Sequence, residues 1–279
     1  MIGVSPSFFF SKYSTNFSID DYIDGLKDLK ILGVDCFQGE IYKKENIEEW
    51  EEGANKLALS YKKLNLKMSL FVAHFLINYT KDFDSLFNDS CYQEFKRVCS
   101  LVKENFKEVN TIVIPIAKYN VKDEKREDYQ VVWNQFKNMI NKLSLLASEY
   151  DFNLALEIIP GSIVGGIDGL LRLIAEIESN NLGYNLDTGH ANCSGEVLSL
   201  IPSKLKGKIF GTHLKDNFGS ENLALPLGKG NIDFKQLNEA LAEFNYLGSY
   251  DLEINSDCEN VMMDYSIGVS YLKKYNIGC

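Results

Sequence analysis

Four side chains able to hold a cation or move a proton recur late in the sequence, each closing a short apolar run. Leu154-Ala155-Leu156 leads into Glu157, Asn185-Leu186 into Asp187, Gly211-Thr212 into His213, and Asp251-Leu252 into Glu253. Together they offer three carboxylates and one imidazole. An oxygen-rich donor set of that kind suits a hard or borderline divalent ion: Mn²⁺, Mg²⁺ or Co²⁺ first, with Zn²⁺ also compatible. Without an ion, three buried carboxylates converging on one point would repel one another and bind protons more tightly. Taken singly, each residue could as well pair with a Lys or Arg in the interior. Their recurrence in successive runs is what points to one shared metal.

Only three histidines occur in 279 residues, and two of them, His190 and His213, fall in these stretches. The third, His74, closes another apolar run in Val72-Ala73-His74-Phe75 and reads either as a pocket-lining group or as a satisfied core histidine. Lys118 is more naturally a solvated loop lysine than an anion-binding one. Gly228-Lys229-Gly230 lacks the GxxxxGK[ST] pattern of a phosphate loop and reads as a tight turn bordering the pocket, with Asp233 capping the helix that follows. Cys193 lies near His190 but has no base to activate it. Trp50 and Trp133 fall in helical stretches and suit packing or subunit contacts better than ligand platforms.

The elements that must carry these groups repeat one pattern. Apolar runs at 2–9, 34–41, 66–75, 111–117, 153–159, 182–187, 208–214 and 250–254 alternate with segments of helical period. Ile19, Tyr22, Ile23, Leu26 and Leu29 make one stripe. Ile167, Leu170, Leu171, Ile174 and Ile177 make another, and Phe234, Leu237, Leu241 and Phe244 a third. Ser18 with Asp21, Asn46 with Glu49, and Asp233 with Gln236 are helix-start signals; Gly33, Gly183 and Gly248 stand where a left-handed helix end is useful. Strands that alternate with helices imply right-handed crossovers and a parallel sheet. Eight such units predict a (β/α)₈ TIM barrel, with residues 1–279 as one domain. An open doubly wound sheet would show a Gly-rich loop after the first strand, and Ser5-Pro6-Ser7-Phe8 is not one. In a barrel the active site lies at the C-terminal strand ends, where Glu157, Asp187, His213 and Glu253 fall.

The bulk composition is that of a globular protein, with 45% hydrophobic residues and a formal net charge of -10. An acidic surface disfavours nucleic acid and anionic membranes. No leader and no spanning segment is read from the sequence, which leaves a cytoplasmic location as the expectation. The six cysteines (Cys36, Cys91, Cys99, Cys193, Cys258, Cys279) show no CxxC pair and read as reduced thiols.

Glu157, Asp187-Thr188-Gly189-His190, His213-Leu214-Lys215-Asp216, the stretch 227–234 and Leu252-Glu253 resemble the sugar phosphate isomerase/epimerase family. These are xylose-isomerase-like barrels that include ketose 3-epimerases, hydroxypyruvate isomerases and inosose dehydratases. The likeness covers most of the chain from the fifth run onward and, more loosely, the first half. It implies that Glu157, Asp187, His213 and Glu253 bind the metal and that His190 contacts substrate oxygens. In the 3-epimerase branch the two glutamates also exchange protons with the substrate from opposite faces. Two positions depart from the pattern: Gly219 stands where that branch carries Arg, and Gln38 where the second strand often carries Glu. Assembly into a homo-oligomer fits the resemblance, with no interface residue singled out.

A sugar proton next to a carbonyl is weakly acidic, and a divalent ion on the carbonyl and hydroxyl oxygens would stabilise the enediolate formed by its loss. Glu157 and Glu253 are the expected acid/base pair, with His190 and Lys215, and His74 at the pocket wall, holding substrate oxygens. Epimerisation, isomerisation and inosose-type dehydration differ only in where the proton returns or which group leaves. The missing Arg and the few lysines near the site favour an unphosphorylated or weakly charged small sugar. The rivals are an endonuclease-IV-like phosphodiesterase, which needs more histidines than this chain has, and a non-catalytic metal- or sugar-binding barrel.

Overall fold

The computed structural model describes residues 1–121 and 127–278. Eight parallel strands make one sheet in the order β7-β6-β5-β4-β3-β2-β1-β8. They are β1 (Ile2–Val4), β2 (Cys36–Glu40), β3 (Lys67–Val72), β4 (Thr111–Ile116), β5 (Asn153–Ile158), β6 (Leu182–Asp187), β7 (Ile209–His213) and β8 (Tyr250–Leu252). The first and last strands pair, with Gly3 opposite Asp251. The remaining seam, between β7 and β8, is bridged at Leu214: its N–H donates to the Asp251 carbonyl and its own carbonyl accepts from Glu253. The barrel is therefore nearly closed, as the alternation of runs predicts.

The apolar runs are continuous because both strand faces are covered. Ile112, Ile114 and Ile116 of β4 and Leu154 and Leu156 of β5 pack into the main core, while the alternate residues Val113 and Ala155 join Leu70 and Val72 in a small separate cluster. That period of two runs on from Ala155 to Glu157 along β5, and from Asn185 to Asp187 along β6.

Local chemistry sets the element ends. Ser18 and Asp21 form a reciprocal capping box at the helix Ile19–Leu32, and Gly33 closes that helix with φ 69°. Asp233 accepts from the Gln236 N–H at 2.9 Å. Asn46 makes no side-chain cap bond to the backbone; its amide donates to Glu49 Oε2 at 3.1 Å instead. The first run splits. Its strand stops at Val4, and Ser7–Tyr13 turns helical after Pro6, which buries Phe8 and Phe9. The third run stops at Val72, and His74–Tyr79 forms a 3₁₀ helix.

Gly183 and Gly248 are not left-handed helix ends; Glu178 (φ 56°) and Asn245 (φ 57°) take those roles. Gly183 serves close packing instead. A Cβ there would lie 2.3 Å from the Lys208 carbonyl oxygen and 2.4 Å from the Phe210 ring. Gly183→Ala is expected to destabilise the fold by about 1–3 kcal/mol. Urea unfolding with an unchanged m-value reads this, and wild-type stability would contradict it.

Both tryptophans pack. Trp50 meets Tyr22 and Phe71 edge-on at 5.4 and 5.1 Å, and buried Trp133 donates to Glu176 at 2.9 Å. Cys36, Cys91 and Cys99 are buried free thiols, Cys193 is half-buried and Cys258 exposed; Cys279 lies outside the described residues. Among the described residues no helix is long and apolar enough to cross a membrane.

Candidate functional site

Glu157 on β5, Asp187 ending β6, His213 ending β7 and Glu253 just past β8 converge at the C-terminal rim. One ligand-type atom from each lies within 4.8 Å of all the others. His213 Nδ1 stands 2.8 Å from Glu253 Oε2 and 3.5 Å from Glu157 Oε2. His213 Nδ1 and Glu253 Oε2 are buried, and neither has an aligned hydrogen bond. They face each other as an ion pair when the imidazole is charged, and offer bare donor atoms to a cation when it is neutral. Carboxylate oxygens and an imidazole nitrogen aimed at one another fit a divalent ion by donor type as well.

Two further side chains stand against this set. Lys215 is buried, with Nζ 2.7 Å from Asp187 Oδ2 and 3.2 Å from Glu253 Oε1. His190 Nδ1 lies 3.1 Å from Asp187 Oδ2 and 3.4 Å from Glu157 Oε1, and its Nε2 is 3.3 Å from Lys215 Nζ. Both are held by the strand ends. Asp187 Oδ1 caps the short helix Thr188–Cys193 by accepting the His190 N–H at 2.8 Å. Thr188 Oγ1 donates to the Lys215 carbonyl at 2.7 Å and accepts its N–H at 3.0 Å. Gly189 leaves room for the lysine stem, since a Cβ there would lie 2.7 Å from Lys215 Cγ and Cε.

Opposed charges set the electrostatics. Burial opposes the charge on Glu157, but the facing His213 imidazole outweighs it and holds the carboxyl below the ordinary range. Burial is likewise overcome at Glu253, by Lys215 and then His213, and its carboxyl is held well down. At Asp187 burial wins over His190 and Lys215, and the carboxyl is raised. Burial would discharge Lys215, yet Asp187 and Glu253 keep the ammonium favoured. Burial also opposes the His213 imidazolium, and Glu253 and Glu157 raise its pKa well above 6.5.

His74 lies apart from the cluster. It is partly exposed, with Nδ1 3.3 Å from Glu40 Oε1 and its ring 4.5 Å from that of Tyr42. Lys118 is exposed beside Ser162. Asp216, the last residue of the His-x-Lys-Asp motif, is buried and accepts four backbone N–H groups, from Asn217, Gly228, Gly230 and Ile232 at 2.8–3.2 Å. The glycine pair thus folds its loop around a carboxylate, and those amides are unavailable to a phosphate. Gly219 has φ 84° and donates its N–H to Asn217 Oδ1.

Sequence reasoning gave no role to Gln38, Glu40 or Asp251. All three are buried. Gln38 Oε1 sits 2.8 Å from His213 Nε2, and its Nε2 donates to Asp251 Oδ2 at 2.9 Å. The available signal was polar residues at a spacing of two within apolar strands: Cys36, Gln38 and Glu40, then Asp251 and Glu253.

A family model described as a xylose isomerase-like TIM barrel matches residues 26–275. An inosose dehydratase of Clostridium botulinum is 28% identical over 177 residues, covering 57% of this chain and 57% of that protein. The chain spans about half the length of the curated relatives it matches. The solved structure of an L-ribulose 3-epimerase superposes with a TM-score of 0.76 at 17% identity, covering 98% of this chain and 93% of that one. The IOLI protein with a bound zinc atom gives 0.75 at 18% identity, covering 98% of each. These structures share the barrel, and the match across most of the sequence settles the lineage: the chain belongs to the xylose isomerase-like TIM barrel family.

Proposed function

We propose that Glu157, Asp187, His213 and Glu253 hold one divalent ion and that the protein is a metal-dependent isomerase or epimerase of a small sugar or sugar derivative. The observation that carries this is the convergence of three carboxylates and one imidazole within 4.8 Å, around buried atoms without aligned hydrogen bonds. The sugar chemistry draws support from relatives named as an inosose dehydratase and an L-ribulose 3-epimerase, and the metal from a neighbour with bound zinc. The oxygen-rich donor set favours Mn²⁺, Mg²⁺ or Co²⁺, and Zn²⁺ also fits.

When bound, the ion supplies Lewis-acid polarisation of a substrate carbonyl. The chain supplies the proton chemistry. Glu157 and Glu253 reach the site from separate strands, 3.5 and 2.8 Å from His213 Nδ1. One takes a proton from the carbon next to the carbonyl, and the other returns it. Return at the same carbon from the opposite face gives an epimer; return at the neighbouring carbon gives an aldose–ketose isomer. The Lys215 ammonium, 3.2 Å from Glu253 Oε1, is placed to donate a hydrogen bond to the oxygen that gains charge. His190 beside it binds a second oxygen, and partly exposed His74 lines the outer wall. The second reading is loss of a β-hydroxyl after the same abstraction, favoured by the inosose dehydratase relative.

Proton NMR in D₂O of the Mn²⁺-loaded protein with ketoses, ketose phosphates and inososes tests the reaction. Metal-dependent deuterium uptake next to the carbonyl is expected, and the labelled carbon and product separate the three outcomes. Stoichiometric metal binding with no exchange across the panel would favour the non-catalytic barrel.

Metal binding should also be linked to protons. Glu253 and Glu157 outweigh burial and favour the charged form of His213 in the metal-free cluster. An ion takes Nδ1 only after that proton leaves, so apparent affinity rises with pH, by about tenfold per unit while the metal-free imidazole stays charged. Calorimetry in buffers of different ionisation enthalpy should count one proton released by His213 per ion, and a flat affinity from about pH 5.5 to 7.5 would contradict this.

A further inference from the structure

Gln38 lies on β2, across the barrel interior from β7, and is fully buried between two groups that ask opposite things of it. Its Oε1 is 2.8 Å from His213 Nε2. Its Nε2 is 2.9 Å from Asp251 Oδ2 and 3.4 Å from the Thr212 carbonyl oxygen. An amide has one accepting end and one donating end. Asp251 and Thr212 present only oxygen acceptors, so the donating end must face them. The flipped amide would set an oxygen against a carboxylate and leave the Thr212 carbonyl with no donor. The accepting end is thereby forced toward His213, which must carry its proton on Nε2. Nδ1 is then left as the nitrogen that faces Glu157 and Glu253.

Asp251 is itself firmly seated. Ser249 Oγ donates to its Oδ2, Ser69 Oγ lies 3.3–3.4 Å from both oxygens, and Cys36 Sγ is 3.7 Å from Oδ1. Gly3 on β1 permits the seat: a Cβ there would lie within 3.1 Å of the Asp251 carboxyl carbon and 2.7 Å of Cys36 Sγ. Gln38 Nε2 and Ser249 Oγ both donate to Oδ2, and although burial raises the carboxyl's pKa these two bonds oppose the rise, so Oδ2 serves as the acceptor.

We infer that Gln38 and Asp251 form a relay that positions His213, fixing its tautomer and ring orientation so that Nδ1 is presented to the divalent ion. The inference rests on the metal centre proposed above. Both are positioning residues, acting through His213 and not on substrate. Partners behind a metal-ligating histidine commonly contribute about 10- to 100-fold in metal affinity. The relay also accounts for glutamine rather than glutamate at position 38. A carboxylate there would accept from His213 Nε2 equally well, but its other oxygen would face Asp251 with no proton between them.

The test is Co²⁺ titration calorimetry on metal-free wild type, Gln38→Leu, Gln38→Glu, Asp251→Asn and the double variant Gln38→Glu/Asp251→Asn, with thermal melts to confirm folding. Gln38→Leu and Asp251→Asn should each weaken binding by about 10- to 100-fold, and Gln38→Glu, which keeps the acceptor for His213 Nε2, should weaken it less. The double variant swaps donor and acceptor while keeping the bonds to His213 and to residue 251, loses only the 3.4 Å contact to the Thr212 carbonyl, and should bind more tightly than Asp251→Asn, a rescue that a purely structural role would not give. Nitrogen-15 spectra of the Zn²⁺-loaded wild type, which has three histidines, should show His213 protonated on Nε2. Wild-type affinity in a folded Gln38→Leu protein, a double variant as weak as the combined singles, or His213 protonated on Nδ1 would overturn the relay while leaving the metal centre standing. A wild-type protein that binds no divalent ion would overturn the metal centre and the relay together.

Discussion

Glu157→Gln and Glu253→Gln are each expected to lower turnover by about 10²- to 10⁴-fold at saturating metal. The amide keeps an oxygen that can ligate but loses the lone-pair basicity needed to take a proton, so metal binding should persist more weakly while chemistry fails. The two variants should also differ. If one glutamate abstracts and the other returns the proton, one variant should still exchange substrate deuterium without forming product, whereas the other should do neither. Steady-state rates read alongside isotope exchange make this comparison. Wild-type turnover in both variants would show that neither glutamate moves a proton. Equal loss caused solely by metal release, recovered fully by added Mn²⁺, would reduce both residues to ligands.

The second large effect is expected at Lys215. Three carboxylates, one divalent ion and one ammonium cancel in charge, so Lys215 brings the loaded site to neutrality. Its Nζ lies 2.7 Å from Asp187 Oδ2 and 3.2 Å from Glu253 Oε1, close enough to repel an ion held by the same carboxylates. Lys215→Met should therefore bind the divalent ion more tightly, by about 10- to 100-fold, because removing a neighbouring positive charge in a partly desolvated site relieves a repulsion of a few kcal/mol. The metal-free variant should melt earlier, since breaking a buried ion pair costs about 3–5 kcal/mol when the partner is left uncompensated. Turnover should fall, because the donor for the developing charge is gone. Tighter metal with slower chemistry is a signature that general damage to the fold would not produce. Unchanged metal affinity with unchanged turnover would remove Lys215 from the site.

The barrel was legible in the sequence because parallel strands covered on both faces leave continuous apolar runs, and those runs alternate with helical stripes such as Ile167, Leu170 and Ile174. Glu157, Asp187, His213 and Glu253 were legible for the same reason: a charged group closing an apolar strand stands out. Strand ends were less so. Phe8 and Phe9 are as apolar as Ile2 and Val4, and only Pro6 marks where strand gives way to helix. Gly183 was misread because a glycine between helix and strand has two uses, and only the Phe210 ring and the Lys208 carbonyl show that space is the one at work. Gln38 and Asp251 could be seen as polar residues in strands, but their meeting depends on β2 and β8 facing one another across the interior with β7. Sequence spacing does not encode that distance. Asp216 illustrates the same limit: its motif was visible, while its role as acceptor for the loop through Gly230 needed the loop's path.

The proposed chemistry turns on one ion held by four side chains, and anomalous diffraction from crystals soaked in Co²⁺ locates that ion directly. A single strong peak is expected at the C-terminal rim, within coordination distance of Glu157, Asp187, His213 Nδ1 and Glu253, and it should be lost in Asp187→Ala. No peak there, or one that persists unchanged in Asp187→Ala, would contradict the shared metal centre.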